Sequence, residues 1–393
     1  MPISENNSPN LTKKLKIAVL VRNFVTTGGA ERYAFHISKR LTADHEVHIF
    51  CQTWDEKLTT DMTVHRIPRP LPKPSFVNLL IFSWFCKRRV DDSFDIIYSH
   101  ERVQRFDVLS IHCPCYRGFL TKSQGLRKIM LWLRELTSPR GLAYLWLEKT
   151  QYEAKPGRLL IADSRMVGDD VLDNYPLLPP EYIKVAYPGV DLDEIDQALK
   201  KTDRESTRQQ FGLKQDDFAL LFVGTEFKRK GLDFLLQALS MIKDKKIKLL
   251  IAGGKEIRAY QDKAEQLGIA GQVSFLGKIA DIYPLYIMAD AFALPTLSDP
   301  CPIAPLEAMT CGTPTIMSAS SYCGTAEHVQ NNEAIVIQNP RDSEEIARAI
   351  EELLNQDARR EYAKKGRELG KTLGWKHTTD ITLEAFAQVI KNR

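Results

Sequence analysis

The chain has 393 residues, of which 44% are hydrophobic and 26% charged. That is more chain than one ordinary core organises, and the balance excludes disorder and a membrane-spanning class. The formal net charge is +4, yet it is unevenly placed: between Cys113 and Leu160 nine Lys/Arg stand against three Glu. A local basic surface of that kind needs a partner or a reason.

The opening ten residues are polar and lack the apolar core of a secretion signal, so residues 1–13 are expected to be a flexible tail. Residues 16–22 read as a β-branched strand, 23–29 as a turn with two glycines, and Ala30, Tyr33, Ala34, Ile37 and Leu41 recur at helical spacing. Strand, glycine turn and helix open a Rossmann-like unit. Further strands are expected at 46–51, 96–99, 108–112 and 159–163. The longest apolar run, 76–86, is interrupted by Asn78 and Ser83 and is too short to cross a bilayer, which leaves a buried helix. The same grammar restarts with strands at 218–223, 248–252, 273–276, 291–294 and 314–317. After Lys230 and Gly231, the spacing of Asp233, Leu235, Leu236 and Leu239 predicts a helix. Tyr187 to Asp191, and the polar stretch to Gln209, read as the connection between the two blocks. From about Thr379 an amphipathic helix shows Ile381, Leu383, Phe386, Val389 and Ile390 on one face. The fold class is therefore α/β, with two Rossmann-like, doubly wound parallel-sheet domains facing a cleft. The expected division is 14–190, 191–375, and a terminal helix 376–393 crossing back to the first domain.

Seven cysteines, an odd number without framework spacing, point to reduced thiols and a cytoplasmic compartment. His112, Cys113 and Cys115 have no second ligand pair at zinc spacing, so no metal is expected. In open parallel sheets ligands bind beyond the carboxyl ends of the strands, which singles out three stretches. Gly28 and Gly29 follow the first strand, where backbone N–H groups could approach a charged ligand; a tight turn needing positive φ explains them equally. Lys228, Arg229 and Lys230 follow the first strand of the second block, where cations suit a diphosphate, although a Lys/Arg run also makes an ordinary solvated surface. From Asp299 a proline-rich loop leads into a short helix with Pro305 in its first turn and Gly312 just past its end. The N–H groups near Ile303 and Ala304 face an anion, and Asp299 and Glu307 could accept hydrogen bonds from sugar or ribose hydroxyls.

Taken in order, these stretches resemble glycosyltransferase family 4, retaining enzymes of the GT-B fold. The resemblance rests on Gly28-Gly29-Ala30-Glu31-Arg32, Gly189-Val190-Asp191, Arg229-Lys230-Gly231, and Leu306-Glu307-Ala308-Met309 through Cys311-Gly312-Thr313-Pro314. Within the family the chain is similar to the lipopolysaccharide core glucosyltransferase branch, through Gln52-Thr53-Trp54 and Val223-Gly224-Thr225-Glu226-Phe227. The resemblance implies that Gly28, Gly29, Thr225, Arg229, Lys230, Ile303, Ala304 and Glu307 bind the donor, with Glu307 on the ribose. It implies catalytic positions at His112 and Asp299, with Asp107 as a neighbour; a packed or capping role for His112 is the alternative. No cofactor is implied, and the co-substrate is a UDP-linked sugar. The chain departs from the pattern at Asp299 (shorter than the usual Glu) and Pro302 (usually Gly), which bear on which sugar is used, and at Thr225 (often Arg), where the core-glucosyltransferase branch also lacks the arginine.

The implied reaction is metal-independent transfer of a hexose, taken as glucose, with retention and front-face attack. No candidate nucleophile for a covalent intermediate stands out. A sugar-nucleotide epimerase and an inactive nucleotide-sugar-binding protein of the same fold are the alternatives. Leu126, Ile129, Met130, Leu133 and Leu136 share a helical face, with Arg127, Lys128 and Arg134 around it, Arg117 and Lys122 before it, and Trp132 among them. Basic and aromatic residues together suit an anionic inner-leaflet surface and a lipid-linked oligosaccharide acceptor. A helix packed on its own domain is the alternative, and no nucleic-acid-binding fold accompanies the patch.

Overall fold

The computed structural model describes residues 13–26, 28–55, 58, 61–71, 73–121, 125–254 and 256–393, without the side chains of 126–128. The chain divides into two compact units, Met1–Pro188 with Trp375–Arg393, and Gly189–Gly374. The closing helix, Trp375–Lys391, therefore belongs to the first unit, where Phe386 and Val389 are buried.

The strands of the first unit are β1 (Lys16–Leu20), β2 (Asn23–Phe24), β3 (Glu46–Cys51), β4 (Thr53–Trp54), β5 (Thr63–Arg66), β6 (Ile96–Ser99), β7 (Val108–Ile111), β8 (Leu159–Ala162) and β9 (Ile183–Val185). Seven form a sheet in the order β5-β3-β1-β6-β7-β8-β9, and each neighbouring pair is parallel. β2 and β4 make a separate parallel pair. Every residue of β6, β7 and β8 is buried, as expected of strands covered on both faces.

The second unit contains β10 (Phe218–Val223), β11 (Ile247–Ala252), β12 (Val273–Gly277), β13 (Ala291–Leu294), β14 (Thr315–Ser318) and β15 (Ile335–Ile337). Their order is β12-β11-β10-β13-β14-β15, again parallel throughout. In each sheet the order reverses beside its first strand, at β1/β6 and at β10/β13. These are the switch points where loops diverge and ligands sit in such sheets.

The expected strands are present with ends shifted by at most two residues, whereas β2, β4, β5, β9 and β15 were not expected, and β2 lies where a turn was expected. β5 and β9 pair on one side only, at the borders of the sheet, and carry half-exposed polar residues, so no continuous apolar run marks them. The polar stretch after Asp191 is not a linker. It folds into helices Leu192–Lys201 and Arg204–Gln210, whose N-caps Asp191 and Asp203 accept from the N–H groups of Glu194 and Ser206. Arg208 is buried there, bonded to Asp290 and to the Met288 and Asp217 carbonyls. The apolar helix Ser75–Arg89 buries Leu79, Phe82 and Cys86 but leaves Trp84 exposed under the Arg88 guanidinium.

Candidate active site

In the second unit, the loops following β10 and β13 are bonded to each other. The Leu297 N–H and the Thr296 hydroxyl both donate to the Arg229 carbonyl, at 2.8 and 3.1 Å. Gly231 makes this contact possible: its φ is +77°, and a side chain there would run into the Pro295 carbonyl. Across the joined loops the Lys230 ammonium pairs with one oxygen of Asp299, and Arg229 lies 3.3 Å from the other. Arg229 also donates to the Ser298 carbonyl at 2.8 Å and pairs with Glu226 at 2.7 Å. Burial acts to lower the guanidinium pKa, but the charges of Asp299 and Glu226 together raise it. Thr225 is exposed in the same turn.

Asp299 is followed by the helix Ile303–Thr310, whose N-cap Pro302 offers no side-chain acceptor. The loop is pinned from below by Thr325, whose buried hydroxyl donates to the Pro302 carbonyl at 2.7 Å. Ile303 and Ala304 form the first residues of that helix, where N–H groups lack intrahelical partners and favour an anion. Glu307 is only 2% exposed and accepts from the Tyr286 hydroxyl at 3.2 Å. Burial, and next the Glu307 charge, push the neighbouring Cys311 thiol up. Gly312 adopts φ +84° directly after the helix. Tyr286 and Thr325 were not singled out in the sequence, because each acts through a partner far along the chain.

In the first unit His112 stands at the carboxyl end of β7. Its Nε2 lies 3.0 Å from Nδ1 of His100, the two rings are stacked 6° from parallel, and Nδ1 lies 3.8 Å from Asp163. Tyr33 meets the His112 ring edge-on, and Trp375 meets Tyr33. Burial, then the neighbouring His112, holds the His100 pKa well below its ordinary value. Gly28 caps the helix Gly29–Leu41 with φ +102°, and a Cβ on Gly28 would strike the Glu31 carboxylate. A Cβ on Gly29 would enter open space.

Asp107 requires a correction. It precedes β7 at its amino end, accepts from the Ile97 N–H at 2.6 Å and pairs with Arg393. Four strand residues lie between it and His112, five steps or about 16 Å of chain, so it anchors the amino end of β7 outside the His112 cluster.

The basic segment forms the helices Tyr116–Thr121, Gly125–Thr137 and Pro139–Gln151. Buried Glu148 accepts from the N–H groups of Tyr116 and Arg117 and pairs with Arg102. Glu135 turns inward to the Tyr116 hydroxyl, whereas Ile129, Met130, Leu133 and Leu136 are 49–70% exposed. This overturns the packed-helix alternative for those four residues. Phe119, Leu142 and Trp146 on the adjoining helices are exposed as well. Arg134 pairs with Glu135, Arg117 lies over the Tyr175 ring, and Trp132 is half-buried. Lys122 and the side chains of Arg127 and Lys128 lie outside the described residues. Among the described residues no helix is long and apolar enough to cross a membrane, and no group of three or more His, Cys, Asp or Glu is placed to hold a metal.

Two parallel-sheet α/β units, each with its loops gathered at a switch point, define the GT-B-like fold. Residues 27–194 match the family described as Glycosyltransferase Family 4, and residues 203–369 match Glycosyl transferases group 1. The chain belongs to this family of glycosyltransferases. It is 24% identical over 346 residues to the lipopolysaccharide glucosyltransferase WaaG of Escherichia coli K12, covering 86% of this chain and 90% of that protein. It is 30% identical over 222 residues to a D-inositol 3-phosphate glycosyltransferase of Mycobacteroides abscessus, covering 54% of this chain and 47% of the relative. The crystal structure of WaaG superposes with a TM-score of 0.80 at 22% identity, covering 94% of this chain and 98% of WaaG. Anabaena HepE, solved with UDP and glucose, superposes with 0.72 at 19% identity, covering 96% and 100%. At these identities the two structures speak for the fold.

The buried histidine carries a pH consequence. Unfolded, His100 binds a proton near pH 6.5; folded, it does so only at lower pH, so unfolding takes up a proton and stability falls as pH drops below about 6.5. His45 and His65, both lowered chiefly by burial, act in the same direction. Urea midpoints should fall between pH 7 and pH 5, and His100→Asn should flatten that slope without abolishing it. An unchanged slope in the variant would remove His100 as a source.

Proposed function

We propose that the protein is a metal-independent, retaining glycosyltransferase that moves a hexose, glucose by preference, from a UDP-linked donor to a lipopolysaccharide core or related glycolipid. The observation that carries this reading is the Arg229–Lys230 pair, held beside the loop that opens into the helix at Ile303. Transfer develops negative charge on the departing diphosphate, and two cations with a helix N-terminus supply what that charge needs. Glu307, its carboxylate oriented by Tyr286, is assigned the ribose hydroxyls. His112, fixed between His100 and Asp163, is assigned the transferred sugar. The likeness to WaaG and the UDP and glucose found in HepE support the choice of donor and acceptor class.

The test is nucleoside diphosphate release from a panel of sugar nucleotides, with and without extracted core oligosaccharide. Release that requires acceptor is expected, with Glu307→Ala lowering kcat/KM about 10- to 100-fold through the lost hydrogen bonds to a charged group. Conversion of donor to another sugar nucleotide without acceptor would mean an epimerase. Binding without turnover would mean an inactive protein.

The exposed apolar stripe supports a peripheral position at an anionic inner-leaflet surface, where Arg140 and Lys149 on the adjoining helix add positive charge. Co-sedimentation with anionic vesicles at low salt should fall about tenfold or more when Ile129 and Leu133 are both changed to Asp, since each loses its apolar burial. Equal recovery with neutral and anionic vesicles would contradict the surface assigned here.

A further inference from the structure

Of the charged side chains on the joined loops, Glu226, Arg229, Lys230 and Asp299 pair with one another, unequally, while Lys228 is exposed. Arg229 is held three times over, by Glu226, by the Ser298 carbonyl and by Asp299. The described partner of the Lys230 ammonium is Asp299. Asp299 itself cannot drift: its N–H donates to the Tyr322 carbonyl at 2.7 Å and its carbonyl accepts from Gly324 at 3.1 Å. Its side chain is 9% exposed, both oxygens face the two cations, and an aspartate stem ends there. Burial, and next the Asp299 charge, push the adjacent Cys323 thiol up to about 12, so the anionic character of the position is felt below the loop as well.

We propose that Asp299 is a tethered counter-ion that occupies the diphosphate-binding cations until donor arrives, rather than a reader of the transferred sugar. On this account Lys230 is the mobile arm. An incoming diphosphate takes its ammonium, while Arg229 stays with Asp299 so that no buried carboxylate is left uncompensated. A tethered anion competes with a free one at high effective concentration, and it lowers diphosphate affinity while keeping both cations in place. The proposal rests on the donor reading above and adds to it the identity of the competitor.

Calorimetric titration of the full chain with UDP and with a UDP-hexose, at low and moderate salt, tests it. Asp299→Asn should bind UDP about tenfold tighter, because the tethered competitor for the Lys230 ammonium is removed, with a steeper loss on adding salt. UDP and UDP-hexose should gain alike, and the gain should vanish in a Lys230→Met background. A merely structural lesion would weaken UDP binding, not tighten it. Should the amide variant not fold, Asp299→Ser carries the same expectation. The proposal is overturned if UDP affinity is unchanged or weaker in a folded variant, or if UDP-hexose affinity alone falls, which would make Asp299 a sugar reader. Absence of UDP binding by the wild-type chain is a different result and would sink the donor reading itself, and this proposal with it.

Discussion

The contact between the loops that follow β10 and β13 fixes the candidate donor site, and it depends on a glycine. Because every pair in the sheet is parallel, both loops leave from the same edge, and the reversal of strand order sets them side by side. Gly231 lets the first loop pass under the Pro295 carbonyl, and the Arg229 carbonyl then receives both Thr296 and Leu297. Only with the backbones joined do Arg229, Lys230 and Asp299 come within ion-pair distance. Backbone geometry comes first here and charge pairing follows from it.

The first unit solves a different problem. His112 leaves a fully buried strand into a nest of aromatic rings, with Tyr33 and Trp375 from helices at the two ends of the described chain. Desolvation lowers the pKa of its neighbour His100, and the two stacked imidazoles lie nearly parallel. The segment that follows runs in the opposite sense. Glu148 and Glu135 are drawn inward to N–H and hydroxyl groups, and four large apolar side chains are turned out. A domain folding alone gains nothing from that arrangement, and this is the observation behind the peripheral position proposed above.

Much of this was legible in the sequence because long apolar runs and glycine turns are local signals. β3, β6, β10 and β13 lie where the runs place them, and Gly312 and Pro305 mark the ends of their helix as their backbone preferences require. What escaped was set by distant partners. β5 and β9 are strands because a neighbour offers hydrogen bonds, not because Thr63–Arg66 or Ile183–Val185 is apolar. The resemblance made Asp107 a companion of His112, although the strand between them places the two at its opposite ends. The helical face from Ile129 to Leu136 was visible as a pattern, but periodicity cannot say whether such a face turns inward or outward. Tyr286 and Thr325 carry no motif and are recognised only by what they touch.

The central claim is that a nucleoside diphosphate is held by the cations and helix start of the second unit. Its most direct test is a crystal structure of the chain with UDP bound. Diphosphate oxygens are expected within hydrogen-bond distance of Lys230 or Arg229 and of the N–H groups at Ile303 and Ala304. A nucleotide seated away from both the Arg229–Lys230 turn and the first turn of Ile303–Thr310 would contradict the account.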